Sequence, residues 1–225
     1  MAVLSYKDFP DFIKVLNLAR ERSLYSADKN FMLWQLVKLA QCCEGNLAEV
    51  GTYKGGTACV ILSACSVKKK VFLFDTFSGI PYADERDLHK KGDFSDTSLV
   101  DVQNFLHSFS FTNFKLVEGI FPASAIQLEL SKIAFVHVDV DVYQSTSDCL
   151  DFFYPRLSSG GIILLDDYGT LSCPGTKQAV DEFLSTLQNH TLSTPEGNKV
   201  GFCNVLSRLG KQLLYLETGQ AIIFK

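Results

Sequence analysis

Apolar positions recur at helical spacing near the start of the chain, then give way to short apolar runs separated by longer amphipathic stretches. In residues 8–22 the recurring positions are Phe12, Val15, Leu16 and Ala19; in 28–43 they are Phe31, Leu33, Trp34, Val37 and Leu39. Two core-covering helices are expected there. After Gly45, residues 46–50, 71–75, 114–118, 133–139 and 162–166 read as strands, each followed by enough chain for a crossover helix. The helices are expected at 57–66, 97–109, 123–130, 145–157 and 176–189. Strands alternating with helices in this way predict a doubly wound α/β sheet.

The tail 213–225 carries two β-prone stretches around Thr218-Gly219, a reversal that adds an antiparallel strand to an otherwise parallel sheet. Residues 191–212 give no clear pattern. Residues 78–96, rich in Gly, Pro and charge, read as a long functional loop. A chain of 225 residues fits one domain, with N-terminal helices over 1–44 and an α/β core over 45–225.

Composition narrows the partners. The net charge of -4 carries no basic footprint for nucleic acid, so small ligands are expected. The seven cysteines form no C-x-x-C pair and no regular framework, which fits buried free thiols in a reducing cytosol. No secretory leader or bilayer-length apolar run is read, and a cytoplasmic location without membrane contact is expected. The N-terminal helices offer a surface for homo-oligomer formation.

Three motifs carry chemistry. AEVGTYKGGTA (48–58) reads as a strand end, a glycine turn and a helix start, with Glu49 two residues before Gly51. The pattern E-x-G-x-x-x-G-G differs from the dinucleotide fingerprint and suits a cofactor whose amino and carboxylate groups need an acid and backbone amides; S-adenosylmethionine meets that description. In FLFDTFSGIP (72–81), Asp75 ends the second strand where an acid binds a ribose hydroxyl pair, or else caps a helix. Asp139 and Asp141 in HVDVDVYQST, with Asp166 and Asp167 in GGIILLDDYG, bring four carboxylates to the ends of two strands. Like charges gathered at one crevice call for a hard divalent cation such as Mg²⁺, held by Asp139, Asp166 and Asp167, with Asp141 or His137 left as a base.

In this order the segments resemble the macrocin O-methyltransferase-like family, S-adenosylmethionine- and Mg²⁺-dependent enzymes that methylate sugar hydroxyls of natural products. The resemblance spans roughly 31–187. It rests on FDTFSGIP, GDFSDTSLVDVQNFL, EGIFPAS and VDVDVYQSTSDCLDFFYPRLSSGGIILLDDYG, followed by Pro174, Gly175 and AVDEF. It implies a mostly parallel, seven-stranded, Rossmann-like methyltransferase sheet with an antiparallel C-terminal strand. It also implies that Glu49, Gly51 and Gly55 contact the methionine part of the cofactor, Asp75 the ribose, and the 92–95 stretch, with Asp93 and Ser95, the adenine. Thr52, Tyr53, Thr57, Thr76, Phe77, Gly119, Phe121 and Asp139 complete the cofactor set. Asp139, Asp166 and Asp167 become metal ligands, Asp141 the general base, and Tyr143 and the loop from Tyr168 to Gly175 border a small-molecule hydroxyl acceptor such as a sugar or glycosylated natural product. His137 stands where family members carry Arg or another residue. Two other readings are an iron-dependent hydroxylase of related fold and a non-catalytic cofactor-binding module.

Overall fold

The computed structural model describes residues 5–191 and 213–225, with the side chains of 188–191 left out; most of the 191–212 segment therefore lies outside the described residues. Helices α1 (Pro10–Ala19) and α2 (Ala27–Ala40) precede the sheet. There follow β1 (Asn46–Val50), α3 (Gly56–Ala64), β2 (Val71–Asp75), α4 (Leu99–Ser108), β3 (Phe114–Glu118), β4 (Ile133–Val138), α5 (Tyr143–Arg156), β5 (Leu157–Leu165), α6 (Pro174–Thr191), β6 (Leu213–Tyr215) and β7 (Ala221–Phe224). The seven strands form one sheet in the order β3-β2-β1-β4-β5-β7-β6. Strands β1 to β5 are parallel, and β7 runs antiparallel to both β5 and β6.

Strand alternation divides the core into two layers. Leu47, Leu73, Phe135 and Leu164 face α1, α2 and α3, whereas Ala48, Phe72, Phe74, Val136, Ile163 and Leu165 face α5 and α6. The central strand β4 is buried along its whole length. Each large aliphatic side chain buried there stabilises the fold by about 1.5–3 kcal/mol.

Two expectations need correction. Residues 123–130 do not form an α-helix; only one 3-10 turn, Ala123–Ala125, is present. Its successive bonds span three residues, Ala125 N to Pro122 O and Leu128 N to Ala125 O, and the stretch is too short to repay helix nucleation. Strand β5 begins at Leu157, directly after α5, and runs through Gly160-Gly161 instead of starting at Ile162. There the C-terminal strand overrides the glycines' turn preference: Gly160 N donates to Lys225 O at 2.7 Å and Lys225 N to Gly161 O at 3.2 Å.

The chain winds outward from β1 to β3, then crosses to β4 and winds the other way. The carboxyl ends of β1 and β4 therefore border the crevice where open α/β sheets bind ligands.

Candidate active site

A cavity of about 440 Å³ opens at that switch point. Its floor is the turn after β1. Gly51 has φ +92°, and a Cβ there would lie 1.7 Å from the carbonyl oxygen of Asp139, so only glycine lets β1 and β4 end this close together. Asp139 N donates to Val50 O at 3.0 Å, and Gly51 N to Phe74 O at 2.9 Å, fixing three strand ends around the turn.

Asp75 ends β2 and ties two loops to the cavity wall. One carboxylate oxygen accepts from Tyr53 N and the other from Phe77 N, both at 2.7 Å. Burial raises its pKa, an effect that these backbone amides oppose. Glu49 is completely buried beneath Gly51; its Oε1 lies 2.9 Å from His137 Nδ1, while Oε2 has no protein partner. On the other side of the imidazole, His137 Nε2 is 3.0 Å from the Tyr25 hydroxyl. Both ring nitrogens are thus engaged, and His137 lies beneath the cavity, outside its lining.

The acidic wall comes from the ends of β4 and β5. Asp139, Asp166 and Asp167 each present an oxygen within 4.8 Å of the others. Asp166 Oδ1 and Asp167 Oδ2 are buried without a hydrogen-bond partner. Desolvation, followed by repulsion from Asp166, pushes Asp167 up to about 8 and Asp139 well above the usual carboxylate range. Two unit charges about 4 Å apart interact by roughly 4 kcal/mol at an effective dielectric of about 20. The Lys29 ammonium, 2.9 Å from Asp166 Oδ2, supplies one countercharge, too little for three carboxylates.

Asp141 lies just past β4 with φ 62°. Because the strand stops at Val138, Asp141 lies beyond it and shares no strand face with His137. It lines the cavity, its Oδ1 3.6 Å from Cys173 Sγ and 3.9 Å from His89 Nε2.

Of the residues expected at the site, Gly51, Tyr53, Asp75, Thr76, Gly119, Phe121, Asp139, Asp141, Asp166 and Asp167 line this cavity. Glu49, Thr52, Gly55, Thr57, Phe77, Asp93 and Ser95 stand outside the lining, Ser95 exposed and Thr52 and Thr57 buried. Tyr143 and Tyr168 also stand outside it; their hydroxyls bond to Glu182 and Asp181 on α6. From the expected acceptor loop, Thr170, Ser172 and Cys173 reach the cavity instead.

Three lining residues carry no motif, namely Tyr25, Lys29 and His89. One signal was available for Lys29. A cation in the first turn of a helix opposes the helix dipole, a local conflict that marks a tertiary partner.

The sheet order and the crevice define a Rossmann-like α/β protein of the methyltransferase kind. Residues 35–196, well over half of the chain, match the macrocin-O-methyltransferase (TylF) family, and the chain belongs to it. It is 31% identical over 172 residues to demethyldecarbamoylnovobiocin O-methyltransferase of Streptomyces niveus, covering 66% of this chain and 64% of that protein. It is also 31% identical over 156 residues to mycinamicin III 3''-O-methyltransferase of Micromonospora griseorubida, covering 62% and 60%. These matches span less than two thirds of either relative. Among solved structures, the O-methyltransferase NovP superposes with TM-score 0.70 at 21% identity, over 94% of this chain and 87% of that one. The calicheamicin methyltransferase CalS11 superposes with TM-score 0.67 at 16% identity, over 99% and 94%; both likenesses bear on the fold alone.

Proposed function

We propose that this protein is an S-adenosylmethionine- and Mg²⁺-dependent O-methyltransferase that acts on a hydroxyl of a sugar or other small natural-product acceptor. The observation that carries the reading is the convergence of Asp139, Asp166 and Asp167 in the same cavity as Gly51 and Asp75. The unpartnered oxygens of Asp166 and Asp167 fit a hard cation, and the buried, unpartnered Glu49 Oε2 beside the Gly51 turn fits an amino group. Membership of the TylF family supports the same reaction class.

When bound, S-adenosylmethionine supplies an electrophilic methyl group, and Mg²⁺ supplies Lewis acidity toward the acceptor hydroxyl. The protein does the rest. Gly51 and Glu49 seat the amino-acid end of the cofactor, Asp75 the ribose, and Phe94, edge-on to Tyr53 with ring centroids 5.6 Å apart, provides an apolar wall for the base. Asp139, Asp166 and Asp167 hold the cation, and Lys29 balances part of the remaining charge. Asp141, oriented by Cys173, accepts the hydroxyl proton as the oxygen–carbon bond forms and the carbon–sulfur bond breaks. Alignment of the two reactants inside one cavity provides much of the acceleration.

Calorimetry with S-adenosylmethionine, with and without Mg²⁺, followed by a turnover screen over glycosylated and catechol-like acceptors, tests the proposal. Saturable cofactor binding and S-adenosylhomocysteine formation with a hydroxylated acceptor are expected; absence of cofactor binding would refute it.

A further inference from the structure

Beside the three-aspartate wall stands a second cluster of different chemistry. His89, Asp141 and Cys173 each offer one donor atom, all within 4.8 Å of one another, and all three side chains line the cavity. The set is nitrogen, oxygen and sulfur, whereas Asp139, Asp166 and Asp167 offer oxygen alone. Mg²⁺ seeks six oxygens; a mixed set of three with one open side suits a borderline ion that accepts tetrahedral coordination.

The spacing agrees. Zinc–donor bonds of about 2.0–2.3 Å place tetrahedral ligands about 3.3–3.6 Å apart. Cys173 Sγ and Asp141 Oδ1 are separated by 3.6 Å, and His89 Nε2 and Asp141 Oδ1 by 3.9 Å. The third edge, from His89 to Cys173, is within 4.8 Å, and His89, in the 78–96 segment with its side chain 23% exposed, is the ligand with room to move inward. A separate feature orients the imidazole. His89 Nδ1 lies 3.4 Å from Asp93 Oδ2, the outer carboxylate that a metal-binding histidine commonly has, and this leaves Nε2 directed at Asp141.

We propose that His89, Asp141 and Cys173 form a second cation site, selective for Zn²⁺ over Mg²⁺, with Asp93 orienting the histidine. The open side of this site faces the cavity. Bound Zn²⁺ occupies the Asp141 oxygen that would otherwise accept the acceptor's proton, so it inhibits methyl transfer; that consequence, unlike the site itself, rests on the proposed role of Asp141.

The test uses Co²⁺ as a spectroscopic substitute for Zn²⁺, added to the 225-residue chain in excess Mg²⁺. A sulfur-to-cobalt charge-transfer band is expected, to be lost in Cys173→Ser and abolished in the parent protein by one equivalent of Zn²⁺. His89→Ala is expected to weaken Zn²⁺ binding by more than the roughly 10- to 100-fold that loss of an outer-sphere partner costs. Because His89 lies in a surface segment, this second variant keeps the test available if Cys173→Ser fails to fold. No charge-transfer band in the parent protein, a band that persists in Cys173→Ser, or unchanged Zn²⁺ affinity in His89→Ala would overturn the site. A bound Zn²⁺ that leaves turnover untouched would spare the site and overturn the reading of Asp141 as the base.

Discussion

At the residue scale, two aspartates two positions apart stand in different surroundings. Asp139 belongs to the cation wall, while Asp141, placed past the strand end with φ 62°, reaches the cavity beside Cys173 and His89. Asp141→Asn keeps the shape and removes the proposed proton acceptor. Turnover should fall by about 10²–10⁴-fold with S-adenosylmethionine affinity nearly unchanged, as calorimetry and steady-state rates would show; unchanged turnover would exclude Asp141 as the base. His137 invites the opposite expectation. Held by Glu49 and Tyr25 below the cavity, it is proposed to act through Glu49, so His137→Phe should weaken cofactor binding in calorimetry more than it slows turnover at saturating cofactor.

At the scale of elements, the turn after β1 is the joint of the site. Gly51→Ala would place a Cβ 1.7 Å from the Asp139 carbonyl oxygen on a backbone with φ +92°. Strand ends β1 and β4 must separate, which moves Asp139 away from Asp166 and Asp167. The expected result is loss of Mg²⁺ and cofactor binding together, read by calorimetry, with the far-ultraviolet circular dichroism retained. Retained binding of both ligands would contradict this role. The N-terminal helices enter the site by a similar close approach: Gly56 at the start of α3 leaves room for the backbone at Arg22 and Ser23, within 2.4–2.6 Å of where a Cβ would lie. That contact brings Tyr25 and Lys29 to the acidic wall.

The same elements show what the sequence made legible. Strands β1, β2 and β3 follow from short β-prone runs bounded by turn residues; VFLF in β2 is the continuous apolar run of a doubly covered strand, whereas FKLVE in β3 alternates and is only partly buried. Asp139, Asp141, Asp166 and Asp167 stand out because charge at the end of a buried strand has no packing rationale. Lys29, Tyr25, His89 and Cys173 carry no such mark, since the groups they meet in the site, Asp166, His137 and Asp141, lie more than 30 residues away in sequence and only tertiary folding brings them together. The full extent of β5 was hidden for a related reason: the C-terminal strand overrides the turn preference of Gly160-Gly161.

At the scale of the whole molecule, the acidic wall couples stability to pH and to cation binding. The folded protein holds protons on Asp139 and Asp167 at pH values where the unfolded chain, with carboxylates near pH 4, has released them. Unfolding therefore releases protons. The stabilisation is fully present below about pH 4 and is lost as pH rises through the Asp167 value of about 8. Cation-free protein should have a lower thermal midpoint at pH 8 than at pH 6. Because Mg²⁺ binds the ionised carboxylates, it should raise the midpoint more at pH 8, by about 5–10 °C at a concentration roughly 100 times its Kd. Equal Mg²⁺ stabilisation at both pH values, followed by scanning calorimetry, would contradict the linkage.

The central claim is that a divalent cation held by Asp139, Asp166 and Asp167 is required for methyl transfer. Turnover of an identified hydroxyl acceptor, measured in excess chelator and again after Mg²⁺ is restored, tests it most directly. Loss of activity in chelator, full recovery of the parent protein with Mg²⁺, and no recovery of Asp167→Asn are expected. Full activity in excess chelator would contradict it.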